Sequence, residues 1–99
     1  MTSSFSFPQS SAAISWVDNN GIGQAQVFSC DGNLVTQRYW SGSVWATGSF
    51  SQKGSHVSAT AYYTNGAAYL RVYCTWQEVT TEYCQDAGGA WYTGSYSPS

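Results

Sequence analysis

Four side chains form a set that could bind a polar, ring-shaped ligand: Arg71 and Glu82 in the second half of the chain, and Trp40 and Trp45 in the first. Arginine presents a rigid fork of N–H donors, a carboxylate only accepts, and the two orient each other. Tryptophan adds an apolar ring face. Together these groups suit a sugar, although a surface ion pair with core tryptophans would use the same residue types, and periodicity alone does not choose.

Arg71 lies in an apolar setting. The segment Ala68-Tyr69-Leu70-Arg71-Val72-Tyr73 alternates in the manner of a β-strand. An unpaired charge is costly to bury, so a charge in such a strand needs either a partner or a ligand.

The composition limits the class of ligand. The 99 residues are 17% aromatic and 8% charged, against roughly 25% charged residues in an average soluble protein. The net charge is -2 and Lys and Arg do not cluster, which argues against a nucleic-acid partner. With no long apolar run and no basic amphipathic helix, membrane insertion is not expected. A roughly neutral ligand is predicted.

The first residues lack the basic and apolar regions of a Sec signal peptide. We therefore expect a cytoplasmic protein or one secreted by an unconventional route. Residues 1–11 are predicted to be a flexible leader, and 12–99 a single domain.

Metal, cofactor and disulfide chemistry find little support. Cys30, Cys74 and Cys84 are too few and too irregularly spaced for a disulfide scaffold or a metal site. Buried small hydrophobes are the simplest interpretation, with a Cys74–Cys84 bridge left open. No metal and no cofactor are predicted.

Catalysis is not favoured either. His56, the single histidine, has no Ser/Asp pattern around it for a triad. Glu78, Glu82 and Asp86 could suggest a small glycoside hydrolase, which needs paired carboxylates. A carboxylate beside arginine has a lowered pKa and serves better as an acceptor than as a general acid. We therefore predict a non-enzyme, with a hydrolase and a structural, protein-binding unit as alternatives.

The chain contains a tandem repeat. Trp45-Ala46-Thr47-Gly48-Ser49-Phe50 returns 46 positions later as Trp91-Tyr92-Thr93-Gly94-Ser95-Tyr96, and the middle parts match at an offset of 45. The repeats span about 12–52 and 56–96, and the second reads as strands at about 56–63, 67–74, 78–84 and 90–94. Turn residues such as Asn65-Gly66 separate these strands.

Four strands every 45 residues are typical of a β-propeller blade, and propellers need four to eight blades. Two blades would leave faces uncovered, so we expect a closed homo-oligomer. Two, three or four copies would all close, and the repeat does not choose among them.

At these residues the sequence resembles the fucose-binding lectins of the Aleuria aurantia type, most closely the short two-blade bacterial members from Ralstonia and Burkholderia. The resemblance runs from about 12 to 96. It is carried by Ala13-Ile14-Ser15-Trp16, residues 50–54 with Val57-Ser58-Ala59-Thr60, Leu70-Arg71-Val72-Tyr73, Thr80-Thr81-Glu82-Tyr83-Cys84 and Trp91-Tyr92-Thr93-Gly94-Ser95-Tyr96. It implies an all-β, six-bladed propeller completed by homotrimerisation, which binds L-fucose and fucosylated glycans between blades without calcium.

The resemblance also implies which residues form each cleft. One cleft takes Arg71, Glu82 and Ser95 from the second blade, facing Trp40 and Trp45 of the neighbouring chain.

The other cleft departs from the family pattern. Gln26 and Gln37 stand at the positions of the Arg and the Glu, and Gln85 replaces one aromatic residue; Ser49 and Trp91 are kept. Charge-assisted hydrogen bonds are roughly twice as strong as neutral ones. We therefore expect this cleft to bind fucose poorly or not at all, or to prefer another monosaccharide.

Overall fold

The structure, a computed structural model, describes residues 10–98. Most of the predicted leader lies outside the described residues, but Ser10 and Ser11 already belong to the first strand. The strands are β1 (Ser10–Val17), β2 (Gly23–Cys30), β3 (Leu34–Trp40), β4 (Trp45–Lys53), β5 (His56–Thr64), β6 (Ala67–Trp76), β7 (Val79–Asp86) and β8 (Tyr92–Thr93).

These strands form two antiparallel sheets, each in sequence order: β1–β4, which we call sheet 1, and β5–β8, which we call sheet 2. The predicted all-β fold with two four-stranded units is confirmed. Within residues 10–98 no helix is long and apolar enough to cross a membrane.

The local sequence explains the tightest hairpin of sheet 2. Thr64 pairs with Ala67, which leaves Asn65 and Gly66 as a two-residue loop. Both have positive φ, 52° and 76°. A type I′ turn requires this conformation at both positions, and its twist matches that of the flanking strands.

The two sheets share one register. Phe28 lies opposite Gln37 across β2 and β3, and Tyr73 lies opposite Glu82 across β6 and β7. Each residue of the second pair follows its counterpart by 45 positions, the offset read from the sequence.

The core lies between the sheets. Phe28 and Phe50 of sheet 1 meet edge to face with ring centroids 5.4 Å apart. Trp91, just before β8, packs against both rings, at 6.0 Å from Phe28 and 4.7 Å from Phe50. The buried members of the cluster are Ile14, Phe28, Cys30, Val35, Phe50, Leu70, Val72 and Cys74.

The opposite face of sheet 2 carries the charged groups. Leu70 and Val72 are buried in the core, so the alternating neighbours Arg71 and Tyr73 lie on the other face. Tyr73 matches Phe28 of sheet 1 in the repeat. The face of sheet 1 that bears Phe28 is covered by sheet 2, whereas the matching face of sheet 2 bears Tyr73 and Arg71. Within residues 10–98 no third sheet covers it.

The three cysteines are buried and unbridged, so the Cys74–Cys84 disulfide that the sequence leaves open is not formed. Burial raises the pKa of the Cys74 thiol to about 12.

Candidate functional site

A cavity of about 420 Å³ lies on the uncovered face of sheet 2. Three predicted site residues line it together: Arg71 from β6, Glu82 from β7 and Ser95 after β8. The other lining residues are Cys84, Tyr92, Thr93 and Gly94. We call this cavity the Arg71 cleft.

Arg71 is held by one end of its guanidinium group. Nη1 donates to Oδ1 of Asp86 at 2.7 Å and to the carbonyl oxygen of Leu70 at 2.9 Å. These two bonds use both hydrogens of Nη1, while Nε and Nη2 find no acceptor among residues 10–98. Burial alone would lower the pKa of Arg71, but the bond to Asp86 helps to raise it above its ordinary value. The side chain therefore stays charged with free donors.

The ion pair differs from the one expected from the sequence. Arg71 and Glu82 lie on adjacent strands, but the salt bridge joins Arg71 to Asp86. The register explains the difference, because Arg71 lies opposite Cys84 and Glu82 lies opposite Tyr73.

Glu82 is fixed by two donors. Its Oε2 accepts a hydrogen bond from the Tyr73 hydroxyl at 2.7 Å, and its Oε1 accepts the backbone N–H of Tyr96 at 3.1 Å. The bond from Tyr73 is the largest cause that holds the pKa of Glu82 below its ordinary value. A Cβ at Gly94 would collide with Oε1, which explains the glycine of the repeated motif.

Sequence reasoning missed the roles of Asp86 and Tyr92. Oδ2 of Asp86 accepts the Tyr92 hydroxyl at 2.5 Å, and this bond raises the pKa of Tyr92 to about 12. The same bond, followed by that from Arg71, lowers the pKa of Asp86. Strand alternation could have found Asp86, because it follows Glu82 and Cys84 on one face of β7.

The predicted aromatic residues lie elsewhere on the chain. Trp40 and Trp45 pair across β3 and β4, with ring centroids 5.7 Å apart. Trp45 is 43% exposed. Neither ring lines the Arg71 cleft of its own chain.

A second cavity, of about 370 Å³, lies between the sheets, and we call it the Gln26 cleft. It brings together Gln26, Gln37, Ser49 and Gln85 of the second predicted set. The remaining lining residues are Tyr39, Gly48 and Gly88. Trp91, also predicted for this cleft, is not among them; it packs on Phe28 and Phe50 instead.

The amides of this cleft bond to each other. Gln37 is 4% exposed, and its Nε2 donates to Oε1 of Gln26 at 2.5 Å. Its Oε1 accepts the backbone N–H of Phe50 at 3.1 Å. Gln85 turns its Nε2 to the carbonyl of Gly89 at 3.0 Å.

Metal binding has no visible basis in the described part of the chain. Among residues 10–98, no three or more His, Cys, Asp or Glu side chains are grouped to hold a metal ion.

No protein-family model matches the chain, and no curated protein matches it either. A similar solved structure is that of a fucose lectin from Kordia zhangzhouensis in complex with methyl-fucoside. The two are 32% identical with a TM-score of 0.76, over 88% of this chain and 64% of that lectin. This chain has the fold of a fucose lectin. It matches less than two thirds of the lectin's length.

Proposed function

We propose that this protein is a lectin that binds L-fucose and fucosylated glycans at the Arg71 cleft. The observation that carries the proposal is that Arg71 and Glu82 line one cavity, with the free donors of Arg71 beside a carboxylate. The similarity to a lectin complexed with methyl-fucoside supports this choice of sugar.

The chemistry of the cleft suits a neutral sugar. Nε and Nη2 of Arg71 supply charge-assisted donors to hydroxyl or ring oxygens. Glu82 uses one lone pair on each oxygen within the chain, which leaves others to accept hydrogen bonds from sugar hydroxyls. Among residues 10–98 the only aromatic side chain that lines the cleft is Tyr92, so the tryptophan wall that we expect on the apolar side of the sugar ring has to come from elsewhere.

A second copy of the chain would supply this wall. Tyr73 and Tyr96 meet edge to face at 5.5 Å, as Phe28 and Phe50 do at 5.4 Å. Within the chain, Trp91 packs on the phenylalanine pair. The exposed Trp45 stands at the matching position of the first repeat, so in a head-to-tail assembly it would pack on the tyrosine pair of the next copy.

The same correspondence between the two repeats predicts where Trp40 would lie. Gln85, which matches Trp40 at an offset of 45, lines the Gln26 cleft within the chain. Trp40 of the adjoining copy would therefore line the Arg71 cleft. We propose three copies closed into a six-bladed ring, as the resemblance implies, with three fucose sites that give avidity for glycan-covered surfaces.

We further propose that the protein is not an enzyme. A glycosidase needs a carboxyl group with a raised pKa that remains protonated until it acts as the acid. Hydrogen bonds, from Tyr73 to Glu82 and from Tyr92 to Asp86, are the largest cause of a lowered pKa in each case. Both groups are thus acceptors, and we expect no turnover of a chromogenic α-L-fucoside.

A complementation experiment tests the shared site. Arg71→Ala and Trp40→Ala variants should each lose binding of methyl α-L-fucoside as homo-assemblies, measured by calorimetry. Co-assembly should restore binding, since Trp40→Ala chains contribute Arg71 and Arg71→Ala chains contribute Trp40. Arg71→Ala mixed with Glu82→Ala is the matched control and should restore nothing, because both groups come from one copy.

Three outcomes would contradict the proposal. Failure of the first mixture to recover binding would place the aromatic wall elsewhere. Binding by the wild type of another monosaccharide but no fucoside would establish an altered specificity. An assembly that fails to form a trimer in native mass spectrometry would overturn the ring.

A further inference from the structure

Arg71 is fixed from several sides. Besides Asp86 and the Leu70 carbonyl, the ring of Tyr62 lies 6.0 Å from the guanidinium carbon. Tyr62 itself stacks on Tyr69, with centroids 5.1 Å apart and planes 11° apart. The cation therefore has a carboxylate and a carbonyl at one nitrogen and an aromatic platform beside it.

The carboxylate is itself held in place. Its Oδ1 bonds to Arg71 at 2.7 Å and its Oδ2 to the Tyr92 hydroxyl at 2.5 Å. Tyr92 lies on β8, Asp86 ends β7 and Arg71 lies on β6, so the chain of contacts crosses three strands of sheet 2.

Sheet 1 has no such arrangement. The positions that match Asp86 and Tyr92 hold Ser41 and Ala46, and Gln26 replaces Arg71. Asp86 and Tyr92 thus occur only in the repeat that contains Arg71. The hydrogen bonds from Arg71 to Asp86 and from Tyr92 to Asp86 join side chains and involve no backbone group.

We propose that Asp86 and Tyr92 are positioning residues that hold Nη1 of Arg71 and thereby present Nε and Nη2 to the sugar. The inference rests on the proposed function of the Arg71 cleft. Neither residue needs to touch the sugar in this role.

The expected gain is pre-organisation. An arginine without a partner samples many rotamers, and ordering a rotamer-rich side chain on binding weakens affinity by about 3–10-fold. Within residues 10–98 Asp86 is the only side chain that accepts a hydrogen bond from Arg71, and together with the Leu70 carbonyl it fixes the guanidinium before the sugar arrives.

The test uses the assembled protein and methyl α-L-fucoside. Asp86→Ala should raise Kd by about 3–10-fold, with the number of sites unchanged. Tyr92→Phe removes a single hydroxyl and should raise Kd by about 2-fold, because Asp86 remains. Gln26→Ala, at the position of sheet 1 that matches Arg71, is the control and should change Kd by less than about 2-fold. Melting curves and native mass confirm that each variant is folded and assembled.

A spectroscopic readout separates positioning from a merely structural role. The chain has two arginines, Arg38 and Arg71, so the side-chain N–H signals are easily assigned by NMR. In the sugar-free protein, hydrogen bonds at Nη1 slow rotation about the Cζ–Nη bond and give resolved signals for Arg71. Asp86→Ala should collapse these signals and leave those of Arg38, which donates to the Trp45 carbonyl, unchanged.

Several results would overturn the inference. An unchanged Kd in Asp86→Ala would show that Arg71 needs no positioning, and tighter binding would show that Asp86 competes with the sugar. Unchanged Arg71 signals in Asp86→Ala would show that Asp86 does not hold the guanidinium group in solution. A wild-type protein that binds no fucoside would overturn the proposed function itself, whereas a binding wild type with a neutral Asp86→Ala would overturn only the positioning role.

Discussion

The Arg71 cleft and the Gln26 cleft share a backbone frame and differ in the atoms they turn toward a ligand. In both, a side-chain oxygen on the third strand accepts a backbone N–H near the fourth: Gln37 from Phe50 and Glu82 from Tyr96, each at 3.1 Å. The other terminal atom of the side chain differs between the clefts. In Gln37 it is an amide nitrogen that donates to Gln26, and in Glu82 it is a second oxygen that accepts from Tyr73.

Gln37 and Glu82, which match in the repeat, therefore show two separate roles of this position: one supports the fold and the other binds the ligand. The shared oxygen supports the fold, so residue 37 has a structural function whether or not its cleft binds sugar. The ligand chemistry depends on what stands beside it: a charged fork with free donors in sheet 2, and a closed amide pair in sheet 1.

Removing the guanidinium group of Arg71 should have the largest effect on sugar affinity. Arg71→Ala should weaken binding of methyl α-L-fucoside by about 100-fold or more, because charge-assisted bonds of about 1.5–3 kcal/mol each are lost. Gln26→Ala, at the matching position, should change Kd by less than about 2-fold, a difference of about 0.4 kcal/mol. Calorimetry on both variants checks the pair, and equal losses would show that the clefts are equivalent.

The shared frame gives the next prediction. A Cβ at Gly48 would collide with Gln37, and one at Gly94 with Glu82. Gly48→Ala and Gly94→Ala should each lower the free energy of unfolding by about 1–3 kcal/mol through overpacking and displacement of the acceptor. Urea denaturation at one fixed protein concentration measures both. If only one of the two variants is destabilised, the two sheets do not share this packing of a glycine against a side chain of the third strand.

Exchanging the charge alone should have a smaller effect. Glu82→Gln keeps an oxygen for the Tyr96 N–H, as Gln37 does for Phe50, but its amide nitrogen cannot accept the Tyr73 hydroxyl. The free energy of unfolding should therefore fall, by less than in Gly94→Ala. Sugar binding should weaken by about 10-fold, since a neutral acceptor replaces a charged one. Unchanged affinity would show that the carboxylate charge is not what distinguishes the clefts.

Acid stability provides the most subtle contrast. Glu82 and Asp86 have lowered pKa values in the folded chain, so each stabilises the fold above its unfolded pKa of about 4. That contribution is lost as the pH falls from there through the lowered native values. Glu82→Gln should therefore lose less stability than the wild type between about pH 5 and pH 2, measured by urea denaturation. Identical slopes would contradict the assignment.

The strands and their grouping could be predicted from the sequence. Repeat spacing and alternation predicted two four-stranded units, because alternation fixes the face of a strand and the repeat fixes which strands are neighbours. The grouping of Arg71, Glu82 and Ser95 was implied by the resemblance to the fucose-binding lectins, and the three residues line one cavity.

The partners within the site could not be predicted in the same way. Alternation places Glu82 and Asp86 on one face of β7, but only the register decides which carboxylate meets Arg71. Trp91 was expected in the Gln26 cleft, yet the depth of its packing on Phe28 and Phe50 depends on how closely the sheets approach. Such distances are set by the three-dimensional packing and leave no pattern in the chain.

The stoichiometry of a calorimetric titration shows whether one or both of the clefts on each chain bind fucose. The assembled protein is titrated with methyl α-L-fucoside, and the number of sites per chain is read from the isotherm. We expect one site per chain, which Arg71→Ala abolishes and Gln26→Ala preserves. Two sites per chain would mean that the amides also bind fucose, and an absence of binding would contradict the proposed function.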